Sequence, residues 1–253
     1  MNSYDFEKLS TDEKVTYRRL CSFKVPGMVD EYVNQLLNPN AALDPFEVRI
    51  QRMVDSEWQR RYSKKFTKYL KDAQLRYPAA SLDKTIYDAS RKLDTDTIEK
   101  LATCNWIDEG KNLLITGMSA SGKTYLMNAL CINALQKFKT VWYVRANTLI
   151  QLLEQSRLAN NYFDYVQSLC RLDLLVIDDF GLMDFDIDKC RDLFEVIDGR
   201  DGRKSTAVIS QLPVDKWYDL FQDATYAEAC LSRLTDRHHS YRLEMNGENM
   251  RQR

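Results

Sequence analysis

The sequence predicts an α/β protein: a parallel sheet with helices on both faces, built around a phosphate loop and preceded by a small all-helical domain. The loop has the pattern G-x-x-x-x-G-K-[S/T] between Gly117 and Thr124. Short apolar runs alternate with segments of helical periodicity after it, and the pair Asp178-Asp179 ends one of those runs. Such alternation around a phosphate loop is typical of a parallel sheet covered by helices.

The composition is that of a globular chain in which a full core can form. The 253 residues are 44% hydrophobic and 29% charged, with a net charge of −1, so a nucleic-acid contact needs a local basic patch. We expect a cytoplasmic protein without membrane contact, because long apolar runs and a basic-then-apolar N-terminus are both missing. The six scattered cysteines indicate reduced core residues. We predict a helical domain over 1–75 and a nucleotide-hydrolysing domain over 76–253.

Three helices are predicted in the first part of the chain. They cover Phe6–Cys21, Met28–Leu37 and a long segment from Phe46 to about Ala73. Asp44 and Pro45 favour the start of the long helix, because Asp caps helices and Pro suits the first turn.

The long helix has an aromatic and a basic side. Trp58, Tyr62, Phe66 and Tyr69 recur at helical spacing, and from Arg49 to Arg76 nine basic residues face only three acids. One interpretation is a solvated charged face over an aromatic core stripe. We favour the other, a basic arm that contacts nucleic-acid phosphates, because the charge is concentrated beside a nucleotide domain. The predicted contacts are Arg60, Arg61, Lys64, Lys65, Lys68 and Lys71.

The phosphate loop lies between a predicted strand, Asn112–Thr116, and a predicted helix, Tyr125–Leu135. Backbone N–H groups and the positive end of the helix dipole bind phosphates in this arrangement. We therefore predict ATP here, with Lys123 on the β- and γ-phosphates and the Thr124 hydroxyl on Mg²⁺. The expected nucleotide contacts are Gly117, Met118, Ser119, Ala120, Ser121, Gly122, Lys123, Thr124 and Tyr125.

The acidic pair supplies the second half of this site. Leu174–Ile177 reads as a buried parallel strand, and the carboxyl ends of such strands bind ligands in open α/β sheets. Asp178 is predicted to take a water of Mg²⁺, and Asp179 to position or deprotonate the attacking water.

The C-terminal third contributes one more candidate site residue. Ser210 ends a strand, Thr206–Ser210, and would lie beside the γ-phosphate if that strand lies between the two already placed. The other predicted helices of this domain are Asp94–Trp106, about Asn147–Leu158, about Tyr162–Cys170, Trp217–Phe221 and Glu228–Arg237, and the other predicted strands are Thr140–Val144 and Tyr241–Met245.

Together these motifs resemble the IstB-type ATP-binding proteins of bacterial insertion sequences, relatives of DnaC-type helicase loaders within the AAA+ class. The similarity extends from about Met28 to Arg251. The most specific segments are Leu75–Leu82, Trp106–Gly117, Asp173–Gly181, Ser205–Trp217 and Gly247–Arg251.

The resemblance implies a homo-oligomer that assembles on double-stranded DNA with ATP and assists a transposase in choosing its target. Ser210 then resembles the first sensor of AAA+ proteins. Arg233 looks like the arginine finger offered to a neighbouring subunit, and Arg251 like the second sensor. Hydrolysis would then depend on assembly, because a finger acting in trans can contribute ~10³–10⁵ in rate.

Three features depart from the AAA+ pattern. Ala120 occupies a loop position that is usually Gly, and Asp179 replaces the more common Glu. A chain that ends at Arg253 leaves no room for a full lid domain.

Three alternatives stay open. A DnaC-like replicative helicase loader would bind a helicase in place of a transposase. A small-molecule or nucleotide kinase would need an acceptor site, which is not evident. A nucleotide-gated DNA scaffold with negligible hydrolysis is favoured only by Ala120 and Asp179.

Overall fold

A computed structural model describes residues 7–85 and 93–245. The chain divides into two compact units, Met1–Lys68 and Tyr69–Arg253. The first is helical and the second contains the sheet; the domain boundary predicted at residue 75 stays a prediction. Within the described ranges, no helix is both long and apolar enough to span a bilayer.

The described part of the first unit contains helices α1 (Thr11–Ser22) and α2 (Pro26–Leu37), a 3-10 turn (Pro39–Leu43), and α3 (Phe46–Asp72), whose last turn enters the second unit. Helix α1 starts with a reciprocal cap in which Glu13 N donates to Ser10 Oγ at 3.3 Å and Ser10 N donates to Glu13 Oε2 at 2.7 Å. The helices predicted over Met28–Leu37 and from Phe46 to about Ala73 are confirmed. The first predicted helix begins at Thr11, after the Ser10 cap, and not at Phe6, which lies outside the described residues.

A close approach of two backbones joins α2 to α3. A Cβ on Gly27 would meet Glu57 Cα at 2.6 Å, so only glycine fits. Gly27 N donates to Glu57 Oε2 at 2.7 Å, and Arg61 Nε donates to Glu57 Oε1 at 2.5 Å. Burial alone would raise the pKa of Glu57, but the hydrogen bonds from Arg61 and Gly27 outweigh it and lower the pKa.

After the last turn of α3, the described part of the second unit continues with a 3-10 turn (Leu82–Lys84) and two short helices, α4 (Thr95–Ala102) and α5 (Asn105–Asp108). A single helix over Asp94–Trp106 was the prediction, and it is wrong because Cys104 has a left-handed backbone with φ +62°. This interruption of the helix at Cys104 directs the Trp106 side chain into the core, where it is 2% exposed.

Five parallel strands form the sheet, in the order β2-β3-β4-β1-β5. They are β1 (Asn112–Gly117), β2 (Val141–Arg145), β3 (Leu174–Phe180), β4 (Ser205–Ser210) and β5 (Ser240–Met245). Strand β4 lies between β1 and β3, which is the condition on which the prediction for Ser210 depended.

Helices cover both faces of the sheet. They are α6 (Lys123–Gln136), α7 (Ala146–Leu158), α8 (Tyr162–Arg171), α9 (Ile187–Arg200) and α10 (Ala224–Thr235). Leu114, Leu175 and Val208 pack with residues of α7 to α10. Leu113, on the opposite face, is 0% exposed, so that face is covered too.

The connection from β4 to α10 differs from the prediction. Two 3-10 turns, Val214–Lys216 and Tyr218–Leu220, replace the helix expected over Trp217–Phe221. They bury Trp217 completely, and its indole N–H donates to Leu212 O at 3.0 Å.

Replacing Gly27 by Ala should destabilise the first unit. Helix propensity alone would favour Ala by about 1 kcal/mol, whereas overpacking against the α3 backbone costs about 1–3 kcal/mol. We expect a lower midpoint in urea unfolding followed by circular dichroism. Asp30→Ala, which removes an exposed ion pair of the same helix, is the control and should be nearly neutral. A neutral or stabilising Gly27→Ala would contradict the close approach.

Candidate functional site

The phosphate loop connects the end of β1 at Gly117 to the start of α6 at Lys123. Gly117 has φ +142°, and a Cβ there would lie 2.0 Å from Met245 O of β5. The loop can therefore begin only with glycine, since the neighbouring strand leaves no space for a side chain.

Ala120 lies within this loop with φ +62°, a left-handed backbone that costs a residue with a Cβ roughly 1–2 kcal/mol. The expected constraint of Ala in place of Gly is therefore backbone strain at Ala120. The loop keeps the conformation suited to glycine and bears the strain of the extra methyl group.

Lys123 folds back over the loop. Its Nζ donates to Gly117 O and to Met118 O, each at 2.6 Å. Burial lowers the pKa of Lys123, and the nearby Asp178 and Asp179 carboxylates oppose this shift in part. The ammonium group is thus held inside the loop, where a phosphate would exchange for the two carbonyl oxygens.

Asp178 is the most connected residue of the site and is 1% exposed. Its Oδ2 accepts from the Thr124 hydroxyl at 2.9 Å and from the Tyr143 hydroxyl, and its Oδ1 accepts from Asp179 N at 2.7 Å. Burial, and then the Asp178 carboxylate, raise the pKa of Tyr143, so its hydroxyl stays a donor.

Asp179 has a left-handed backbone, with φ +58°. The β3–β4 register shifts between Ile177 and Phe180, so the acidic pair lies in a β-bulge. Arg145 Nε lies 3.4 Å from Asp179 Oδ2, and the Asp179 side chain is 30% exposed. Asp179 therefore has access to solvent, whereas Asp178 is enclosed.

Ser210 ends β4 between the loop strand and the acidic strand. Its hydroxyl donates to Phe180 O and accepts from Leu212 N at 3.0 Å. A cavity of about 60 Å³ brings together residues of the loop, the start of α6, β3 and β4. Its lining residues are Arg76, Ser119, Ala120, Lys123, Thr124, Asp178, Asp179, Ile209, Ser210 and Gln211.

The other predicted nucleotide contacts lie around this cavity. Met118 is 69% exposed at the loop tip, whereas Ser121 is 1% exposed. Gly122 has φ +90° immediately before α6. The Tyr125 hydroxyl accepts from Ser81 N at 3.3 Å, and its ring centroid lies 6.1 Å from that of Tyr77. Tyr125 thus packs against the segment that follows α3.

Arg233, the predicted arginine finger, is not among the described residues that line this cavity. Arg233, on α10, pairs with Asp198 at 2.8 Å, donates to Ala229 O at 2.8 Å, and lies 5.1 Å from the Phe194 ring centroid. Its side chain is 30% exposed. Arg251 lies outside the described residues.

Four residues near the acidic pair were not predicted as site residues: Arg76, Tyr143, Arg145 and Gln211. Tyr143 and Arg145 come from β2, which carries no phosphate motif. Arg76 was counted with the charge excess of the long helix, although it lines the phosphate cavity. Only the order of strands in the sheet shows that β2 lies beside β3, the strand that carries Asp178.

The predicted DNA contacts on α3 are in part engaged in ion pairs. Arg60 pairs with Asp30 at 3.0 Å and Arg61 with Glu57 at 2.5 Å. The side chains of Lys64, Lys65 and Lys68 are exposed, as is that of Lys71 in the second unit.

The aromatic side of α3 does not form the core stripe that one interpretation expected. Within the first unit, Trp58 is 57% exposed. Its ring stacks on Tyr62 with centroids 5.2 Å apart, and Tyr62 stacks on Phe66 at 6.4 Å. These rings cover each other along the helix surface.

The sheet order, the loop after β1 and the acidic pair near the end of β3 define an α/β protein of the AAA+ class. Solved structures share this fold. The replication initiator DnaA bound to AMPPCP and single-stranded DNA matches with TM-score 0.57 and 18% identity, over 70% of this chain and 52% of that chain. The DnaC helicase loader matches with TM-score 0.53 and 21% identity, over 68% and 99%. At such identities the likeness shows the fold alone.

The chain belongs to the IstB-like ATP binding protein family, which matches residues 19–253. An insertion sequence ATP-binding protein of Sinorhizobium fredii is 38% identical over 199 residues, 79% of each chain. The insertion sequence IS1162 ATP-binding protein of Pseudomonas fluorescens is 33% identical over 201 residues, 78% of this chain and 86% of the relative. The family resemblance inferred from the sequence is confirmed, and it supports ATP as the ligand.

Replacing Ala120 by Gly should stabilise the nucleotide-free protein, although glycine substitutions normally destabilise. Relief of the left-handed strain should contribute up to about 1 kcal/mol, a rise of roughly 2–4 °C in the melting temperature of a unit of this size. Differential scanning calorimetry measures it. The matched control is Ala159→Gly at an exposed residue with φ −84°, which should not stabilise. If Ala120→Gly lowers the melting temperature as much as Ala159→Gly does, the loop is unstrained at Ala120.

Proposed function

We propose that this protein is an ATP-dependent DNA-binding ATPase that assembles on double-stranded DNA and assists a transposase in target selection. The observation that carries the proposal is the convergence of Lys123, Thr124 and Asp178 at one sheet edge, in a member of the IstB-like ATP-binding family. The basic residues of α3 supply the DNA-binding part.

Mg²⁺ fits the residues present. The Thr124 hydroxyl donates a hydrogen bond to Asp178, so the lone pairs of the Thr124 oxygen stay available to a cation. The Asp178 carboxylate provides a second oxygen beside it. Oxygen ligands and nucleotide phosphates are what Mg²⁺ prefers. When bound, it neutralises phosphate charge. Lys123 would exchange its two carbonyl partners for phosphate oxygens.

Asp179 is the residue best placed to act on the attacking water. It lines the cavity and retains access to solvent, unlike the enclosed Asp178. Arg145 holds the carboxylate from the β2 side. Ser210 lines the same cavity and would sense the γ-phosphate through its hydroxyl.

Arg233 would serve the site of a neighbouring subunit. Within the described residues it does not line the cavity of its own chain, and Asp198 pairs with its partly exposed side chain on α10. This position supports the homo-oligomer implied by the family resemblance, in which hydrolysis needs a second copy of the chain.

DNA binding would use the lysines and arginines of α3. For Lys64, Lys68 and Lys71 the described residues provide no ion-pair partner. The ion pairs of Arg60 and Arg61 are exposed on the arginine side, and exposed pairs contribute only about 0–1 kcal/mol. DNA phosphates can therefore compete for both guanidinium groups.

The transposase is inferred from the relatives, which are named for insertion sequences. Likeness to the DnaC helicase loader shows the fold alone and does not favour a helicase partner. Affinity capture with an insertion-sequence transposase as one bait and a replicative helicase as the competing bait separates the two.

Binding to a duplex of random sequence should require ATP and fall with salt. We expect a cooperative gel shift with ATP that Lys123→Ala abolishes. The triple variant Lys64→Gln, Lys68→Gln, Lys71→Gln should weaken binding at least tenfold and lower the slope of log K against log salt by about 2–3, because each lost phosphate contact removes about 0.9.

The matched control for that experiment is Lys84→Gln, Lys100→Gln, Lys216→Gln, three exposed lysines of the second unit. It removes the same charge and should leave the salt slope within about one unit of the wild type. Equal effects of the two triple variants would exclude a specific basic arm. No DNA binding with any nucleotide would overturn the proposal.

ATP hydrolysis should be restored by mixing two inactive variants. Lys123→Ala lacks a working phosphate loop but keeps Arg233, whereas Arg233→Ala keeps the loop. If Arg233 acts in trans, each alone should lose at least 10²-fold in turnover, and an equimolar mixture should regain a measurable fraction in a phosphate-release assay.

Asp198→Ala is the control for Arg233, because it removes the intramolecular ion pair and keeps the guanidinium. It should retain most activity. If Asp198→Ala loses as much activity as Arg233→Ala and the mixture stays inactive, the role of Arg233 is structural.

A further inference from the structure

Arg76 occupies an unexpected position for a residue that follows the long helix. Helix α3 ends at Asp72, and Arg76 lines the cavity formed by Lys123, Asp178 and Ser210. Among the described residues no carboxylate lies within ion-pair distance of its guanidinium. A cation thus borders the phosphate cavity without a fixed acidic partner.

The backbone on both sides of Arg76 is anchored to the nucleotide domain. Ala73 O accepts from Tyr143 N of β2 at 2.9 Å, and Tyr77 N donates to Asn128 Oδ1 at 2.9 Å. Asn128 Nδ2 in turn donates to Thr124 O at 2.7 Å. Two hydrogen bonds, one to β2 and one to the loop helix α6, therefore fix the segment that presents Arg76.

The surroundings of Arg76 hold it in its charged form near the acidic pair. Its Cζ lies 5.7 Å from the Tyr77 ring centroid. Desolvation lowers the pKa of Arg76, but the Tyr77 and Tyr143 hydroxyls and the Asp178 carboxylate raise it on balance. Tyr143 is also the donor to Asp178, so Arg76 lies one side chain away from the acidic strand.

The position in the sheet indicates which part of a nucleotide Arg76 would meet. Strand β2 neighbours β3, whereas β5 lies on the far side of β1. Asp178, Asp179 and Ser210, which are assigned to the metal and the γ-phosphate, share the cavity with Arg76. A guanidinium beside the residues assigned to the metal and the γ-phosphate meets the terminal phosphate, since the base lies at the opposite end of the nucleotide.

We propose that Arg76 binds the γ-phosphate in cis and thereby sets the preference of this site for ATP over ADP. The inference rests on the ATP site described under the proposed function. A planar guanidinium can donate two parallel hydrogen bonds to one phosphate, a bidentate geometry that the ammonium group of Lys123 does not have. The segment after α3 thus contributes a fourth polar element to the site, together with the loop, the acidic pair and β4.

The test compares affinities for AMPPCP and ADP in the presence of Mg²⁺, measured by calorimetric titration of the full chain. Arg76→Gln should weaken AMPPCP binding about 10–100-fold, the range for a hydrogen bond to a charged group, and ADP binding less than about threefold. Arg76→Lys should recover part of the loss. The control Arg171→Gln removes an exposed arginine that does not line the cavity and should leave both affinities unchanged.

Equal losses for the two nucleotides would assign Arg76 a structural or general electrostatic role and overturn the inference, as would unchanged affinities. Lys123→Ala is measured in the same series. If the wild type binds neither nucleotide, the proposed ATP site itself fails. If it binds both in a manner that depends on Lys123 and Arg76→Gln has no selective effect, only the role of Arg76 fails.

Discussion

The buried carboxylate of Asp178 is the interaction on which the site depends. Burying a carboxylate is costly unless hydrogen bonds replace its water, and three donors do so here: the hydroxyls of Thr124 and Tyr143 and the backbone N–H of Asp179. They come from the loop helix, the edge strand β2 and the acidic strand. Satisfying one buried group therefore fixes the relative positions of three elements.

Of the seven non-glycine residues with positive φ in the described part of the chain, two line the phosphate cavity. They are Ala120 in the loop and Asp179 in the β3 bulge. Strain of this kind, of order 1–3 kcal/mol each, persists where the surrounding structure over-determines the backbone. The sheet register and the Gly117–Met245 approach impose that surrounding structure. The cavity is thus shaped before a ligand enters it.

Those parts of the fold and site that depend on local sequence could be predicted. The loop and the acidic pair are contiguous motifs with characteristic flanks, and strands and helices around them follow from periodicity. Periodicity shows which residues share a helix face but not what covers that face, which is why the exposure of Trp58 was not foreseen. Cys104 has no compositional signal for a left-handed turn. Tyr143 reaches the site through the order of strands in the sheet, and Arg76 through hydrogen bonds of its segment to β2 and α6; both are long-range properties.

The central position of β4 has a consequence for how the protein is made. Strand β4 pairs with β1 and β3 on its two sides, yet it follows both in the chain. A ribosome releases the loop strand well before Ser205–Ser210 and the acidic strand only shortly before it, so the loop strand in particular lacks this neighbour for a large part of synthesis. Pairings over such sequence separations form slowly and leave strand edges exposed meanwhile. Nucleotide can thus stabilise the nascent domain only after about four fifths of the chain has emerged.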